Sequence, residues 1–190
     1  MRADARRNRR RLLDAAIELV LERGGEPTRD AVAERAGVGI GTLYRHFPDQ
    51  QTLFRAVVLD VLDRTIAAGE EALEDSDDPL RSYLHAAVDN GLGVVNILHP
   101  LLDSTDWPDR TTAARDLLDR LLATARDAGA VGDGASAADI TYAAIRFSRP
   151  LSIGLSPAEE RAIAHRQVDT YVDGLAGPGE VARSPVPTRT

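Results

Sequence analysis

Apolar residues recur three and four positions apart along almost the whole chain, which is the spacing of one face of an α-helix. The longest such run covers residues 50–74, where Leu53, Phe54, Val57, Val58 and Val61 begin an unbroken apolar stripe. No stretch alternates between apolar and polar residues in the manner of a half-buried strand. The pattern therefore predicts an all-α fold of roughly nine helices.

Residues 36–47 combine a turn with a very short helix. Gly37 can adopt the positive φ that ends the preceding helix, and a new helix can begin at Gly39. Leu43 and Phe47 lie four residues apart and anchor that helix to a core, which leaves the side chains between them facing outward. A helix this short is well below the roughly 12–15 residues needed for stability in isolation, so other helices must hold it. This geometry is typical of a helix-turn-helix that presents its second helix to DNA.

The charge of the chain is unevenly distributed. The net charge is −7, but residues 1–48 contain ten Arg against seven acidic residues, and residues 49–190 contain thirteen Arg against twenty-three. A basic first quarter on an acidic remainder suits a DNA-binding head on a body that stays off the phosphates. The cluster Arg6, Arg7, Arg9, Arg10 and Arg11 is either an arm that contacts phosphates or a solvated N-terminus.

Several classes of site are excluded by composition. The 190 residues include no cysteine, which rules out disulfides, thiolate metal sites and a cysteine nucleophile. His85 and His99 have no third ligand at metal spacing, so we predict neither a metal nor a cofactor. The sequence also has no nucleophile–base pair and no paired carboxylates at a helix register, and we predict that the protein is not an enzyme. No apolar run reaches a membrane-spanning length, and we expect a soluble, cytoplasmic protein without a membrane partner.

Local signals place the helix boundaries. Thr28 is a predicted N-cap for the second helix, and Pro79 suits the first position of a fifth helix that we expect to end at His99. Ser136 and Ser156 begin capping-box patterns that predict the starts of the last two helices.

Three segments, residues 11–16, 32–38 and 41–49, resemble the tetracycline-repressor (TetR) family of bacterial regulators. The resemblance is specific over residues 9–58. It implies a homodimer whose two recognition helices enter successive major grooves of a palindromic double-stranded operator. It also implies a C-terminal helical bundle that binds a small-molecule effector and thereby releases the DNA, so that the protein is a repressor.

The resemblance divides residues 1–177 into two domains. Residues 1–48 would be the helix-turn-helix domain, and residues 49–177 a helical domain for ligand binding and dimerisation. Residues 178–190 are rich in Pro, Arg, Ser and Thr, and this composition predicts a disordered tail. The residues expected at the DNA are Arg9 and Arg10 of the basic cluster together with the family positions Thr28, Gly39, Ile40, Gly41, Thr42, Tyr44, Arg45 and His46. Of these, Thr28, Thr42, Tyr44 and His46 would contact phosphates, while Ile40, Gly41 and Arg45 would face base edges or the groove wall. Tyr44 and His46 could instead pack half-buried against the first helix.

Two positions depart from the family pattern. Gly39 stands where the family commonly has Ser or Thr, which removes the side-chain cap of the recognition helix. Gln50 stands where the family usually has Lys, which removes about one phosphate contact. These departures keep open the alternative of an all-helical interaction module that has lost specific DNA binding.

The helical body offers candidates for two further sites. Possible pocket residues are Tyr83, Asn90, Asn96, His99, Trp107, Tyr142 and Arg146. Arg146 could bind a ligand carboxylate, or it could pair with an acidic neighbour of its own chain. The predicted dimer interface comprises Ile140, Ala144, Phe147, Val168, Tyr171 and Val172, some of which could instead belong to the core of the single chain.

Overall fold

The computed structural model describes residues 2–103, 107–151 and 154–176, and the predicted tail at 178–190 lies outside these ranges. The described residues form nine α-helices and one short 3₁₀ turn with no β-strand, as the apolar spacing predicted. No helix among them has both the length and the apolar character needed to cross a membrane. The helices are α1 (Arg2–Arg23), α2 (Arg29–Arg35), α3 (Ile40–His46), α4 (Gln50–Asp75), α5 (Pro79–Asp89), α6 (Gly93–Leu98), α7 (Pro108–Asp127), α8 (Ala137–Phe147) and α9 (Pro157–Leu175), with the 3₁₀ turn at His99–Leu101.

The first three helices form a small bundle around the buried face of α1. Leu12, Leu13 and Val20 of α1 are buried there together with Val32 of α2 and Leu43 of α3. Because α2 and α3 have only seven residues each, this shared core supplies the stability that neither helix has alone.

The fourth helix links this bundle to the rest of the chain. The Asp49 carboxylate accepts a hydrogen bond from the backbone N–H of Thr52 at 2.6 Å and caps the start of α4. Further along, Gly69 lets α4 approach its neighbours closely, since an added Cβ would lie 2.6 Å from Cδ2 of Leu117 in α7 and 2.9 Å from Cδ2 of Tyr83 in α5.

The predicted fifth helix is wrong in length, because the structure divides it into α5 and α6. Gly91 sits between them with φ of +71°, a left-handed conformation that other residues rarely adopt. Gly93 then begins α6 against the backbone of α8, where an added Cβ would lie 2.4 Å from the carbonyl oxygen of Ser148. The apolar spacing continues across the break, so periodicity alone could not reveal it.

The last two helices start where the capping patterns predicted. Ser136 and Ser156 accept hydrogen bonds from the backbone N–H of Asp139 and Glu159, whose carboxylates accept in return from the serine N–H groups. These hydrogen bonds hold the pKa of both carboxyl groups below their ordinary values.

The buried apolar residues form one continuous cluster from Leu12 in α1 to Val172 in α9. The core therefore crosses residue 48, the expected domain boundary, and α1 packs directly against α4 and α6. Packing changes in the helical body can consequently reach the first three helices.

Candidate functional site

The turn and third helix expose one face and bury the other, as the sequence predicted. Gly37 has φ of +63° and ends α2, while Leu43 and Phe47 are buried at 0% and 1% exposure. On the outward face, Ile40 is 38% and Tyr44 44% exposed, so both side chains are accessible to another molecule.

Two glycines lie on this outward surface without a packing reason within the chain. A Cβ added to Gly39 or Gly41 would meet no atom within 4 Å. Gly39 occupies the N-cap of α3 and provides no side-chain hydrogen bond, as expected. Gly41 lies inside the helix, where glycine costs about 0.5–1 kcal/mol relative to alanine. An exposed helical glycine in open space is consistent with a close approach by another molecule.

The remaining predicted DNA-facing residues lie around the same surface. The Thr28 hydroxyl accepts a hydrogen bond from the backbone N–H of Ala31 at 3.3 Å, which confirms its role as the cap of α2. Thr42 and His46 are half-buried, with the His46 ring 6.2 Å from that of Phe47.

Sequence reasoning missed one residue of this surface, Arg29. Its guanidinium lies 4.7 Å from the centroid of the Tyr44 ring, and its Nη1 donates a hydrogen bond to the carbonyl of Pro48 at 3.0 Å. Arg29 thereby fixes the Tyr44 ring and joins α2 to the end of α3. No local pattern connects residues this far apart in sequence.

The basic cluster at the start of α1 does not act as a unit. Arg10 forms ion pairs with Asp14 at 2.8 Å and with Asp60 of α4 at 3.0 Å, so its guanidinium holds α1 to α4. In the free protein the donors of Arg10 therefore face carboxylates, and the predicted phosphate contact would have to replace these ion pairs. Arg9 instead lies 5.5 Å above the Phe47 ring, exposed and close to α3.

Two glutamines in the first turn of α4 make contacts with other segments of the chain. The Gln50 side-chain N–H donates to the Glu26 carboxylate at 3.2 Å, so the position where the family usually has lysine makes a contact within the chain. The Gln51 amide donates to the carbonyl of Leu101 at 2.8 Å and accepts from the N–H of Asp103 at 3.2 Å. Gln51 thus ties α4 to the segment after α6.

The predicted pocket residues differ in their exposure and contacts, and only Arg146 lines one of the two clefts described below. Tyr83 is buried in the core, where burial raises the pKa of its hydroxyl to about 12. Tyr142, by contrast, is 71% exposed. His99 packs edge-on against Trp107 at 5.7 Å. Asn96 is exposed, and Asn90 is half-buried as the C-cap of α5. The structure thus places these candidates in different environments, from the core to the exposed surface.

Arg146 does border a cleft, which opens where α8 turns towards α9. Its guanidinium makes no ion pair or hydrogen bond with the rest of the described chain, so the alternative of an acidic neighbour is not realised. A second, wider groove of about 560 Å³ lies between α1, α4 and the segment after the 3₁₀ turn, and it includes Arg9 and Gln51.

The predicted dimer residues divide into two groups. Ile140, Ala144, Val168 and Val172 are 0–3% exposed in the single chain, so they belong to its own core and leave no surface for a partner. This corrects their assignment to the interface. Phe147 and Tyr171 are half-buried and contact each other edge-on at 5.6 Å. An interface on α8 and α9 must therefore use the exposed residues beside this core.

A histidine pair connects α5 and α9. The Nδ1 atoms of His85 and His165 are 2.7 Å apart, and their Nε2 atoms lie 3.1 Å from carboxylate oxygens of Asp169 and Asp89 respectively. Ionised carboxylates only accept, so all three contacts are hydrogen bonds only when one ring carries two N–H protons. Arg81 also donates to Asp169, which lowers the pKa of that carboxyl group. Within the described ranges, no group of three or more acidic or histidine side chains could hold a metal ion.

Comparison with known proteins identifies the family. Residues 12–57 match the family model "Bacterial regulatory proteins, tetR family". An HTH-type transcriptional regulator of Staphylococcus aureus strain USA300 is 38% identical over 76 residues, or 40% of this chain, and the chain covers only 41% of that relative's length.

The similarity to solved structures extends over nearly the whole chain. A TetR transcription regulatory protein from Mycobacterium vanbaalenii is 30% identical and superposes with a TM-score of 0.64, over 92% of this chain and 98% of that one. A TetR transcriptional regulator from Streptomyces coelicolor, 24% identical, shares the fold with a TM-score of 0.66 over 88% and 97%. LfrR from Mycobacterium smegmatis, in complex with proflavine, is 21% identical and shares the fold with a TM-score of 0.55 over 86% and 96%. The chain belongs to the TetR family of bacterial transcriptional regulators.

Proposed function

We propose that the protein binds operator DNA through α3 and that a small molecule bound by its helical body releases it, so that it acts as a ligand-responsive repressor. The outward face of α3 is the observation that carries this proposal. Ile40 can contact a thymine methyl, Gly41 permits a close approach, and Arg45 can donate two hydrogen bonds to guanine. Arg45 has no hydrogen bond or ion pair to another described residue, and its donors are free for this role.

Around this face, polar side chains are suited to position the helix on the phosphates. Thr28, Thr42, Tyr44 and His46 supply hydroxyl and imidazole groups, and Arg9 supplies a cation above the end of α3. The Thr28 hydroxyl accepts one hydrogen bond as a cap and can still donate its own proton to a phosphate oxygen.

A homodimer and a division into head and body complete the proposal. Residues 1–48 would bind DNA, and residues 49–177 would dimerise and bind the effector. Two copies would place their α3 helices in successive major grooves, which requires half-sites about one helical turn apart. The exposed parts of α8 and α9 outside the cleft that Arg146 borders are the proposed dimer surface. LfrR, which shares this fold, forms a complex with proflavine, and this supports a small-molecule effector.

A gel-shift titration with the DNA upstream of the protein's own gene tests the proposal. We expect tighter binding to this DNA than to a scrambled DNA of equal composition and length. Arg45→Ala should weaken the preference by about 1–3 kcal/mol, the value of one bidentate base contact. Arg115→Ala on α7 is the matched control, because Arg115 is also exposed and makes no ion pair to the described chain. Equal affinity for both DNAs would contradict the proposal.

The second candidate is an interaction module without specific DNA binding. It is favoured by the uncapped Gly39 and by the contact of Gln50 with Glu26, which leaves no cation at the start of α4. The DNA affinities of the variants Tyr44→Ala and Arg45→Ala distinguish the two hypotheses, because only the repressor needs these side chains at the DNA. Unchanged DNA affinity in both variants would support the interaction module.

A further inference from the structure

The cleft at the α8–α9 turn has a mainly apolar wall. Leu21 comes from α1, Val88 from α5 and Phe147 from the end of α8, while Leu155 and Ile163 close the side formed by α9 and the turn before it. The cleft has a volume of about 80 Å³, room for about three groups of the size of water, and one side of it is open to solvent. It can therefore enclose only part of an apolar chain or ring, and the remainder would lie along the open side.

The polar border of the cleft is mostly cationic. Arg146, Arg149 and Arg161 line it together with one carboxylate, Glu160. Over the described residues, the guanidinium groups of Arg146 and Arg149 make no hydrogen bond or ion pair, while Arg161 reaches only a 4.0 Å contact with Asp89.

The uncommitted arginines contrast with others in the same acidic body. Arg110 and Arg120 each bind a carboxylate with two nitrogens, and Arg81 contacts three carboxylates. Residues 49–190 contain twenty-three acidic side chains against thirteen arginines, yet Arg146 and Arg149, like Arg115 on α7, make no ion pair to the described chain. Two free guanidinium groups beside an apolar wall complement a ligand that has an anionic head and an apolar body.

The cleft also borders α6, a short helix of the body that packs against α1 of the DNA-binding domain. Gly91 lies so close to α1 that an added Cβ would be 3.1 Å from Cδ1 of Leu21, which itself lines the cleft. Gly93 lies against the backbone of Ser148 and Arg149, two residues of the opposite wall. A ligand in the cleft would therefore contact both segments that pack against the start of α6, which are Leu21 of α1 and residues 148–149 after α8.

We propose that this cleft binds an amphiphilic monoanion, a carboxylate on an apolar chain or ring. Arg146 and Arg149 hold the carboxylate, and Leu21, Val88 and Phe147 contact the apolar part. The further step, that such a ligand shifts α1 and releases DNA, depends on the proposed repressor function. The binding step does not.

Isothermal titration calorimetry of decanoate into the full chain without DNA tests the binding step. We expect saturable binding of one decanoate per chain, and at least about tenfold weaker binding of decanol, which lacks the charge, and of decyltrimethylammonium, which reverses it. The double variant Arg146→Gln/Arg149→Gln should lose at least about tenfold in decanoate affinity. Arg115→Gln, an exposed and unpaired arginine outside the cleft, should bind like the wild type.

A second pair of variants tests the location without altering the arginines. Leu155→Glu places a negative charge at the cleft and should weaken decanoate binding, whereas Leu101→Glu places the same charge at another exposed leucine and should not. Urea midpoints equal to that of the wild type would show that the variants are folded. Decanol binding as tightly as decanoate, or decanoate affinity unchanged in the double-arginine variant, would overturn the proposed site.

A DNA titration in the presence of decanoate tests the further step. Weaker binding to the upstream DNA, restored in the double-arginine variant, would support an effector site. Unchanged DNA affinity at saturating decanoate would overturn the effector role and leave the binding site established by calorimetry. If the protein prefers no DNA at all, the proposed function fails, while calorimetry still decides the site.

Discussion

Replacing Gly41 by alanine separates what this position does for the fold from what it does for DNA binding. Gly41 is the second residue of α3, it is exposed, and an added Cβ would meet no atom of the chain within 4 Å. The methyl group therefore creates no clash within the protein. Because glycine inside a helix costs about 0.5–1 kcal/mol relative to alanine, we expect Gly41→Ala to raise the free energy of unfolding by about 0.5 kcal/mol near the helix start.

The same methyl group should weaken operator binding. If Ile40 and Gly41 face the groove, the space that is empty in the free protein is occupied by DNA in the complex. Forcing an extra methyl group into a close-packed contact typically costs about 1–3 kcal/mol. We therefore expect operator affinity to fall by about tenfold, which corresponds to about 1.4 kcal/mol.

Two assays on the same preparations measure both effects. Urea unfolding followed by circular dichroism gives the stability, and fluorescence anisotropy of labelled upstream DNA gives the affinity. Gly134→Ala, in the turn before α8, is the control, since Gly134 is also exposed and surrounded by open space and lies outside the proposed DNA-binding and dimer surfaces. The control should leave DNA affinity unchanged. A more stable Gly41→Ala protein with wild-type DNA affinity would refute the placement of this face against DNA.

Three further predictions concern stability, pH and salt. Arg35 donates two hydrogen bonds to the Glu22 carboxylate, and these hold the pKa of Glu22 below its ordinary value of 4.5. The pair therefore stabilises the fold above pH 4.5, and this contribution disappears as the pH falls through the lowered pKa of Glu22. Glu22→Gln should therefore lower stability at pH 7 and flatten its fall between about pH 5 and pH 3, measured by urea unfolding. Gly69→Ala should destabilise by about 1–3 kcal/mol in the same assay, because its Cβ would lie 2.6 Å from Leu117. Arg9→Gln should reduce the salt dependence of DNA binding by about 0.9 in the logarithmic slope, measured by titration at several salt concentrations.

Each of these has a matched control in the chain. Glu71→Gln removes an exposed glutamate that has no ion pair to the described residues. The fall of its unfolding free energy between about pH 5 and pH 3 should match that of the wild type. Gly134→Ala adds a Cβ where nothing lies within 4 Å. Arg115→Gln should leave the salt slope unchanged. An effect of equal size in a control and its test variant would contradict the structural reason given for that prediction.

The features predicted correctly from sequence are those decided by neighbouring residues. Thr28 and Ser156 cap helices through backbone groups three residues away, and Gly37 ends α2 through its own φ. The burial of Leu43 and Phe47 follows from their spacing on one short helix. Such signals lie within one or two turns of chain and can be recognised without knowing the fold.

The features missed depend on contacts between distant segments. The break between α5 and α6 is an exception, because Asn90 and Gly91 form a local stop signal that was overlooked where the apolar spacing continues across it. The ion pair of Arg10 with Asp60 was not foreseen, because Asp60 lies on α4, fifty residues further along the chain. The spacing of apolar residues is also the same on a helix face that packs in the core of one chain and on one that packs against a second chain. For this reason Ile140, which is buried within the single chain, was predicted at the dimer interface.

The central claim is that α3 reads a palindromic DNA sequence, and selection of bound DNA from a random library tests it most directly. Wild-type protein should enrich one sequence with two inverted half-sites whose centres lie about one helical turn apart. Arg45→Ala should relax the sequence preference at the positions that Arg45 contacts, while Arg115→Ala should enrich the wild-type sequence. Enrichment of no sequence by the wild type, or of the same sequence with equal strength by Arg45→Ala, would contradict the claim.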